Sequence, residues 1–286
     1  MTRSLKGLQD VISVTAVHPI WQKTRPEVDG HRGWVFGDPD SESTLTNSDG
    51  NGGPFPPAYS GNDPDPLFGS KSVRDLYDRA GDTEGKYSVP ILWDKTKGTI
   101  VSNESAEIIR MFNSEFNEFA GAPDLDLCPE ELSKAIDKVN GWVYPNLNNG
   151  VYRCGFAKSQ KAYDKAIDDL TKAFDEVDRI LQKQRYIAGG RFTEADVRLF
   201  VTLVRFDEVY TVYFKCNTRS VATTPAILNY CREIYQMPGV KETVNMEQIK
   251  LHYYASHPEL NFYSIVPKGN DFLRLLEECH DRESIV

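Results

Sequence analysis

Residues 88–105 read SVPILWDKTKGTIVSNES, and the order of their signals sets the class of fold. Val89 to Trp93 predicts a strand, Lys95 to Gly98 a hairpin turn, and the β-branched run from Thr99 to Val101 the returning strand. Asn103 or Ser102 then caps a helix that starts at once. Ile109, Phe112, Phe116 and Phe119 recur at helical spacing and predict its buried stripe. Pro90 at the start of the strand admits a cis bond after Val89 and leaves the Val89 amide and carbonyl for another partner. A peptide-like ligand pairs with such groups as an added strand. The helix start offers unpaired amides and the positive end of a dipole, which suit a carboxylate. There the Ser105 hydroxyl adds a donor, and the Glu104 carboxylate accepts from an ammonium group. Each feature also has a plain structural reading: prolines start strands, and acidic and hydroxyl residues are favoured in any first helical turn.

Upstream, Val11 to Val17 (VISVTAV) is apolar and β-branched and predicts a strand that His18-Pro19 ends. Residues 38–69 are rich in Gly, Pro, Asp, Asn and Ser and read as a flexible, exposed insertion with little to bury. Residues 72–80 predict a short helix capped by Ser70 or Ser72 and stopped by Gly81. Downstream the chain turns helical. Segments are expected at 129–139, at 159–184, from Thr193 to about Phe214, at 225–235 and at 240–254. In 159–184, Tyr163, Ala166, Leu170, Phe174, Val177 and Leu181 share one face and charges the other. Thr193-Glu194-Ala195-Asp196 forms a box-like cap ahead of a helix apolar on several sides, the expected core of a bundle. The fold class is α+β, with a first domain over 1–120 and an all-α domain over 121–286.

Composition narrows the function. The 286 residues carry a net charge of −9 and no long basic run, which argues against a nucleic-acid partner. No apolar stretch is long enough to span a bilayer, and MTRSLKGLQD lacks a signal-peptide core, so a cytoplasmic protein is expected. Cys128, Cys154, Cys216, Cys231 and Cys279 are scattered and form no metal or disulfide motif. His252 and His257 are five apart, so one helix would not set both on a face, and no metal is expected.

An extended ligand would pair its peptide groups with Val89 and seat its amino-acid head on Glu104 and Ser105; glutathione has that shape. The stretches VHPIWQKTRP, GWVFGDPD, KYSVPILWD, NESAEIIRMFNSEFN, YPNLNNGVYRCGFA, TEADVRLFVTLVRFDEVYTVYFKCN and MPGVKETVNMEQIKLHYYASHPELN resemble the glutathionyl-hydroquinone reductases, also called Xi-class or omega-like glutathione transferases. They cover nearly the whole chain outside the insertion. The resemblance implies a thioredoxin-like half with Val89-Pro90 as its cis-proline element, followed by a transferase helical bundle. It implies glutathione contacts at Trp34, Lys86, Tyr87, Ser88, Val89, Glu104 and Ser105. It further implies Tyr152 as proton donor or acceptor near a quinone, and Tyr210 and Tyr253 as hydrogen-bond donors that stabilise a thiolate. Glutathione is then the co-substrate, quinones or hydroquinones the other small molecules, and a homodimer the implied assembly. Without the resemblance, the tyrosines read as core residues and Trp34 as a core or hinge aromatic.

The sequence departs from the family pattern at one place. Members carry a Cys-Pro-Trp-Ala-His-Arg segment ahead of the equivalent of LKGLQDVISV, and here LKGLQD starts at Leu5. The expectation is an N-terminally truncated, incomplete thioredoxin-like half, with Met1 an internal methionine of a longer protein. The missing cysteine would attack the glutathionyl sulfur and form a mixed disulfide that a second glutathione resolves. None of the five cysteines present stands at such a helix start, and Cys154 reads as a helix-interior thiol. The chain as it stands is expected not to turn over. The alternative is a non-catalytic glutathione- or ligand-binding protein, or an interaction module using the helical half.

Overall fold

The computed structural model describes residues 1–285. In chain order its strands are β1 (Gln22–Lys23), β2 (Arg32–Gly33), β3 (Leu92–Asp94) and β4 (Thr99–Ser102). Its helices are α1 (Thr2–Leu5), α2 (Val73–Arg79), α3 (Ser105–Ser114), α4 (Ser133–Val143), α5 (Gly150–Gly155), α6 (Gln160–Leu181), α7 (Glu194–Arg205), α8 (Thr211–Tyr213), α9 (Pro225–Gln236), α10 (Met246–Ser256) and α11 (Phe272–Leu276). The α+β class holds. The chain forms two compact units, one of residues 1–11, 110–246 and 268–286, the other of residues 12–109 and 247–267. The expected ranges 1–120 and 121–286 differ from these: the change falls inside α3, and residues 1–11 and 247–267 each join the unit of the other half.

The helical unit follows the apolar stripes. In α6, Leu170, Phe174, Val177 and Leu181 are fully buried, each worth ~2 kcal/mol of apolar transfer. Ser159 caps α6 by accepting from the Ala162 amide, and Thr193 with Asp196 forms a capping box ahead of α7. Leu199, Phe200, Leu203 and Val204 bury α7 on several sides. A π-helical turn, Phe206–Tyr210, joins α7 to α8. The first residues anchor through Lys6, whose Nζ donates to the Leu125 carbonyl at 2.6 Å.

The other unit is held differently. β1 pairs antiparallel with β2, and β3 with β4. Ile20, Leu251 and Ala255 form a small apolar core with Phe55, Tyr59 and Val266 packed on it. The hairpin is as predicted in its turn and returning strand, but its first strand starts at Leu92, not Val89. α2 has the Ser72 cap, in a box with Asp75, and Gly81 beyond its end at φ +75°.

Several expectations are corrected. Val11–Val17 is not a strand; only Ala16 makes a bridge, to Asn62, and Val11 and Val14 are exposed. Residues 38–69 bury Asn47, Ser48, Asn62 and Asp65, so this stretch is fixed by polar bonds where little apolar surface exists. Asn47 Nδ2 donates to the Phe262 carbonyl and to Ser264 Oγ, both at 2.9 Å, and its Oδ1 accepts from the Asp49 and Asn51 amides. The stripe on α3 is shifted: Ile108 is the buried residue, the helix ends at Ser114, and Phe119 is exposed. His252 and His257 do converge, with ring centroids 5.8 Å apart, because α10 ends at Ser256 and the chain turns His257 back onto Trp21.

Candidate functional site

The Val89–Pro90 peptide is cis. Among the described residues, neither the amide nor the carbonyl of Val89 is hydrogen-bonded within the protein, so both are open to an extended ligand. The rung pairing Leu92 with Ser102 puts Val89 and Ser105 each three residues beyond it, on the same end of the hairpin. There the Ser102 hydroxyl accepts from the Glu104 amide at 3.1 Å and donates to Glu107 Oε2 at 2.9 Å. The Glu104 and Ser105 side chains are exposed and, among the described residues, hydrogen-bond no protein group. The start of α3 thus presents a carboxylate, a hydroxyl and helix amides close to the open Val89 backbone, a set suited to an amino-acid head.

Two residues the sequence reading did not give this role fasten the segments together. Tyr77, buried on α2, donates from its hydroxyl to the Ser88 carbonyl at 2.8 Å. Asn103, considered only as a cap, donates from Nδ2 to Tyr77 Oη at 2.9 Å and to Ser88 Oγ at 3.2 Å. Nothing in the periodicity marks Tyr77; an amide side chain immediately before a helix was the only signal for Asn103. Tyr87 takes φ +47° and packs edge-on against His31, with the Arg74 guanidinium 5.3 Å from its ring centre. Arg74 also holds the Asp29 carboxyl down to about 2 by hydrogen bonding it. Lys86 is exposed and pairs with Glu84 at 3.3 Å.

Trp34 joins the same unit from the other end of α2, its carbonyl accepting from the Val73 amide at 3.0 Å. Its ring stacks on His252 with centroids 4.4 Å apart and planes 22° apart. His252 precedes Tyr253 on α10, the two rings 5.2 Å apart. Trp21 lies edge-on to Trp34, His252 and His257. Trp34 and Tyr253 are therefore linked through His252, a contact no spacing could show.

Tyr152 and Tyr210 lie in the helical unit and come together there. Tyr152, partly exposed on α5, has its ring 6.2 Å from that of buried Tyr210 and 5.4 Å from that of Phe214. Tyr210 and Phe214 stack at 5.7 Å. Gly155 makes room for this cluster, since a Cβ there would meet the Phe214 ring at 2.1 Å. None of the predicted site residues lines the shallow cleft of about 430 Å³ bounded by Gln22, Lys23, Pro26, Thr46, Asn47 and Asp49. Among the described residues no group of three or more His, Cys, Asp or Glu could hold a metal ion.

Comparison with known proteins places these features in context. Residues 160–233 match the family model for the C-terminal domain of glutathione S-transferase. The chain is 40% identical over 282 residues to glutathionyl-hydroquinone reductase YqjG of Escherichia coli K12, covering 98% of this chain and 77% of that protein. It is 38% identical to glutathionyl-hydroquinone reductase PcpF of Sphingobium chlorophenolicum, covering 93% and 76%. Among solved structures, glutathione-bound YqjG superposes with a TM-score of 0.85, covering 99% of this chain and 82% of that one. The Xi glutathione transferase ECM4 of Saccharomyces cerevisiae in complex with glutathione superposes at 0.83 with 33% identity, covering 94% and 87%.

Proposed function

The chain belongs to the glutathionyl-hydroquinone reductases, the Xi class of glutathione transferases, with a thioredoxin-like and a helical part, and on that premise we propose that it seats glutathione on Val89, Glu104 and Ser105. The observation that carries this reading is the unpaired Val89 backbone at the same hairpin end as the open helix start. Trp34, Lys86, Tyr87 and Ser88 complete the seat. In the proposed reaction a cysteine thiolate attacks the glutathionyl sulfur, the carbon–sulfur bond breaks, and the ring carbon takes a proton from Tyr152 as hydroquinone leaves. Tyr210 and Tyr253 donate to the thiolate and hold it ionised. A second glutathione then attacks the mixed disulfide and leaves as glutathione disulfide.

The 286-residue chain by itself is proposed to bind without turning over. Cys154, Cys216 and Cys231 are buried, Cys279 is exposed, and burial pushes the Cys128 thiol up. Calorimetry with glutathione, paired with hydroquinone release from a glutathionyl-hydroquinone, tests both parts. Binding without turnover is expected, and also fits a non-catalytic glutathione-binding role. Turnover comparable to that of YqjG would overturn the second part, and absence of binding the first. A cytoplasmic homodimer formed through the helical half belongs to the same proposal, and light scattering of the purified chain at twice the monomer mass is the expected result for its assembly.

A further inference from the structure

Two thiols that the proposed reaction does not use lie together inside the helical unit. Cys154 sits near the end of α5 and Cys216 just beyond α8, and both are buried. Cys216 Sγ lies 4.0 Å from the Val151 carbonyl oxygen, one turn before Cys154 on the same helix, and 3.8 Å from the Phe214 carbonyl oxygen. Cys216 Sγ therefore lies against the turn of α5 that carries Cys154. The backbone around Cys216 is pinned on both sides: its amide donates to the Tyr210 carbonyl at 2.9 Å, and the Tyr163 hydroxyl donates to the Lys215 carbonyl at 2.7 Å.

We propose that Cys154 and Cys216 are a redox-modification site, closing to a reversible intramolecular disulfide when a peroxide reaches them. The two sulfurs differ in readiness. The neighbouring Cys216 thiol holds the Cys154 thiol below its ordinary value, with Arg153 helping, whereas the Cys154 thiol and burial push Cys216 up. Cys154 is then the attacking thiolate. It displaces hydroxide from hydrogen peroxide and becomes a sulfenic acid. The Cys216 sulfur attacks the Cys154 sulfur, the sulfur–oxygen bond breaks, and the oxygen leaves as water. In sum two thiols lose two electrons and two protons, and one hydrogen peroxide becomes two waters. The new bond would fix α5 to the end of α8, two residues from Tyr152 and two from Phe214, whose rings already touch.

The test uses the full reduced chain, held folded in excess hydrogen peroxide, then denatured in N-ethylmaleimide and cut with trypsin. Cleavage after Arg153 and Lys215 frees the peptides CGFAK (154–158) and CNTR (216–219). The expected product is these two joined, with both alkylation sites lost together and both restored by dithiothreitol. Thermal unfolding of the oxidised chain should rise by several degrees over the reduced chain and return on reduction. Full alkylation of Cys154 and Cys216 after Cys279 has been oxidised would overturn the proposal, as would separate sulfinic acids at the two positions without a cross-link.

Discussion

The helical unit and the hairpin-bearing unit reach order by opposite means. In the first, apolar side chains meet across helices, as where Phe174 packs on Phe206 with ring centres 5.0 Å apart. In the second, single polar side chains hold backbone in place: Asn47 gathers one loop and the 262–264 segment, Asn103 and Tyr77 tie residue 88 to the helix start, and His18 bridges its own chain to Pro56. Apolar packing is distributed over many atoms and tolerates compensation. A polar brace acts through one or two bonds and has no substitute nearby. The imidazoles follow the same division, with His18, His31, His252 and His257 in the second unit and His280 alone in the first.

The comparison can be broken first at Phe174. Phe174→Ala leaves a cavity in a fully buried place and should cost about 3–5 kcal/mol in urea unfolding; a loss under about 1 kcal/mol would mean the helical unit does not depend on its apolar core. Gly155→Ala is next. Its Cβ would fall on the Phe214 ring, an overpacking cost of about 1–3 kcal/mol. Gly141→Ala, on α4 with nothing within 4 Å of the added carbon, should instead stabilise by about 0.5–1 kcal/mol. Equal thermal shifts for the two alanines would remove the claim of a close approach. A smaller effect is expected at Asn103→Ala, which removes two hydrogen bonds and should cost about 1–2 kcal/mol. Glutathione titration should weaken about tenfold with it, while Phe174→Ala material that remains folded binds normally.

The smallest effect concerns pH. Burial depresses His18, His31 and His257 below the ordinary 6.5, so each takes a proton more readily in the unfolded chain. The stability they contribute is present above pH 6.5 and lost as pH falls through their folded values. Amide protection factors near residues 18–33 and 252–257, taken against the intrinsic exchange rate at each pH, should therefore fall between pH 7 and pH 5, while those of α6 hold. A parallel fall in α6 would erase the distinction between the units.

The same division explains what the sequence disclosed. The α6 stripe, its Ser159 cap and the Thr193–Asp196 box were legible because each is a local spacing with one physical reading. Val89-Pro90 and Glu104-Ser105 were legible for a related reason, being local signals at the two ends of a hairpin. Val11–Val17 misled because β-branched residues prefer strands only when a neighbour pairs with them, and here Ala16 alone finds one. The Asn47 brace joins residues more than two hundred positions apart, and the Trp34–His252 stack is comparably distant; neither leaves a period in the sequence. Tyr152 and Tyr210 were placed by resemblance, and their proximity became visible only once the π-helical turn had set the phase of Tyr210.

The joining of residues 12–109 with 247–267 has a consequence for biosynthesis. Ile20 waits for Leu251 and Ala255, and the Asn47 amide waits for Phe262 and Ser264. A ribosome adding roughly 5–20 residues per second must therefore make the whole span between them before the earlier unit can close. Throughout that interval α4 to α9 emerge and can pack, while the segment translated earlier stands open. For the half of the molecule proposed to hold glutathione, the order of maturation is the reverse of the order of synthesis.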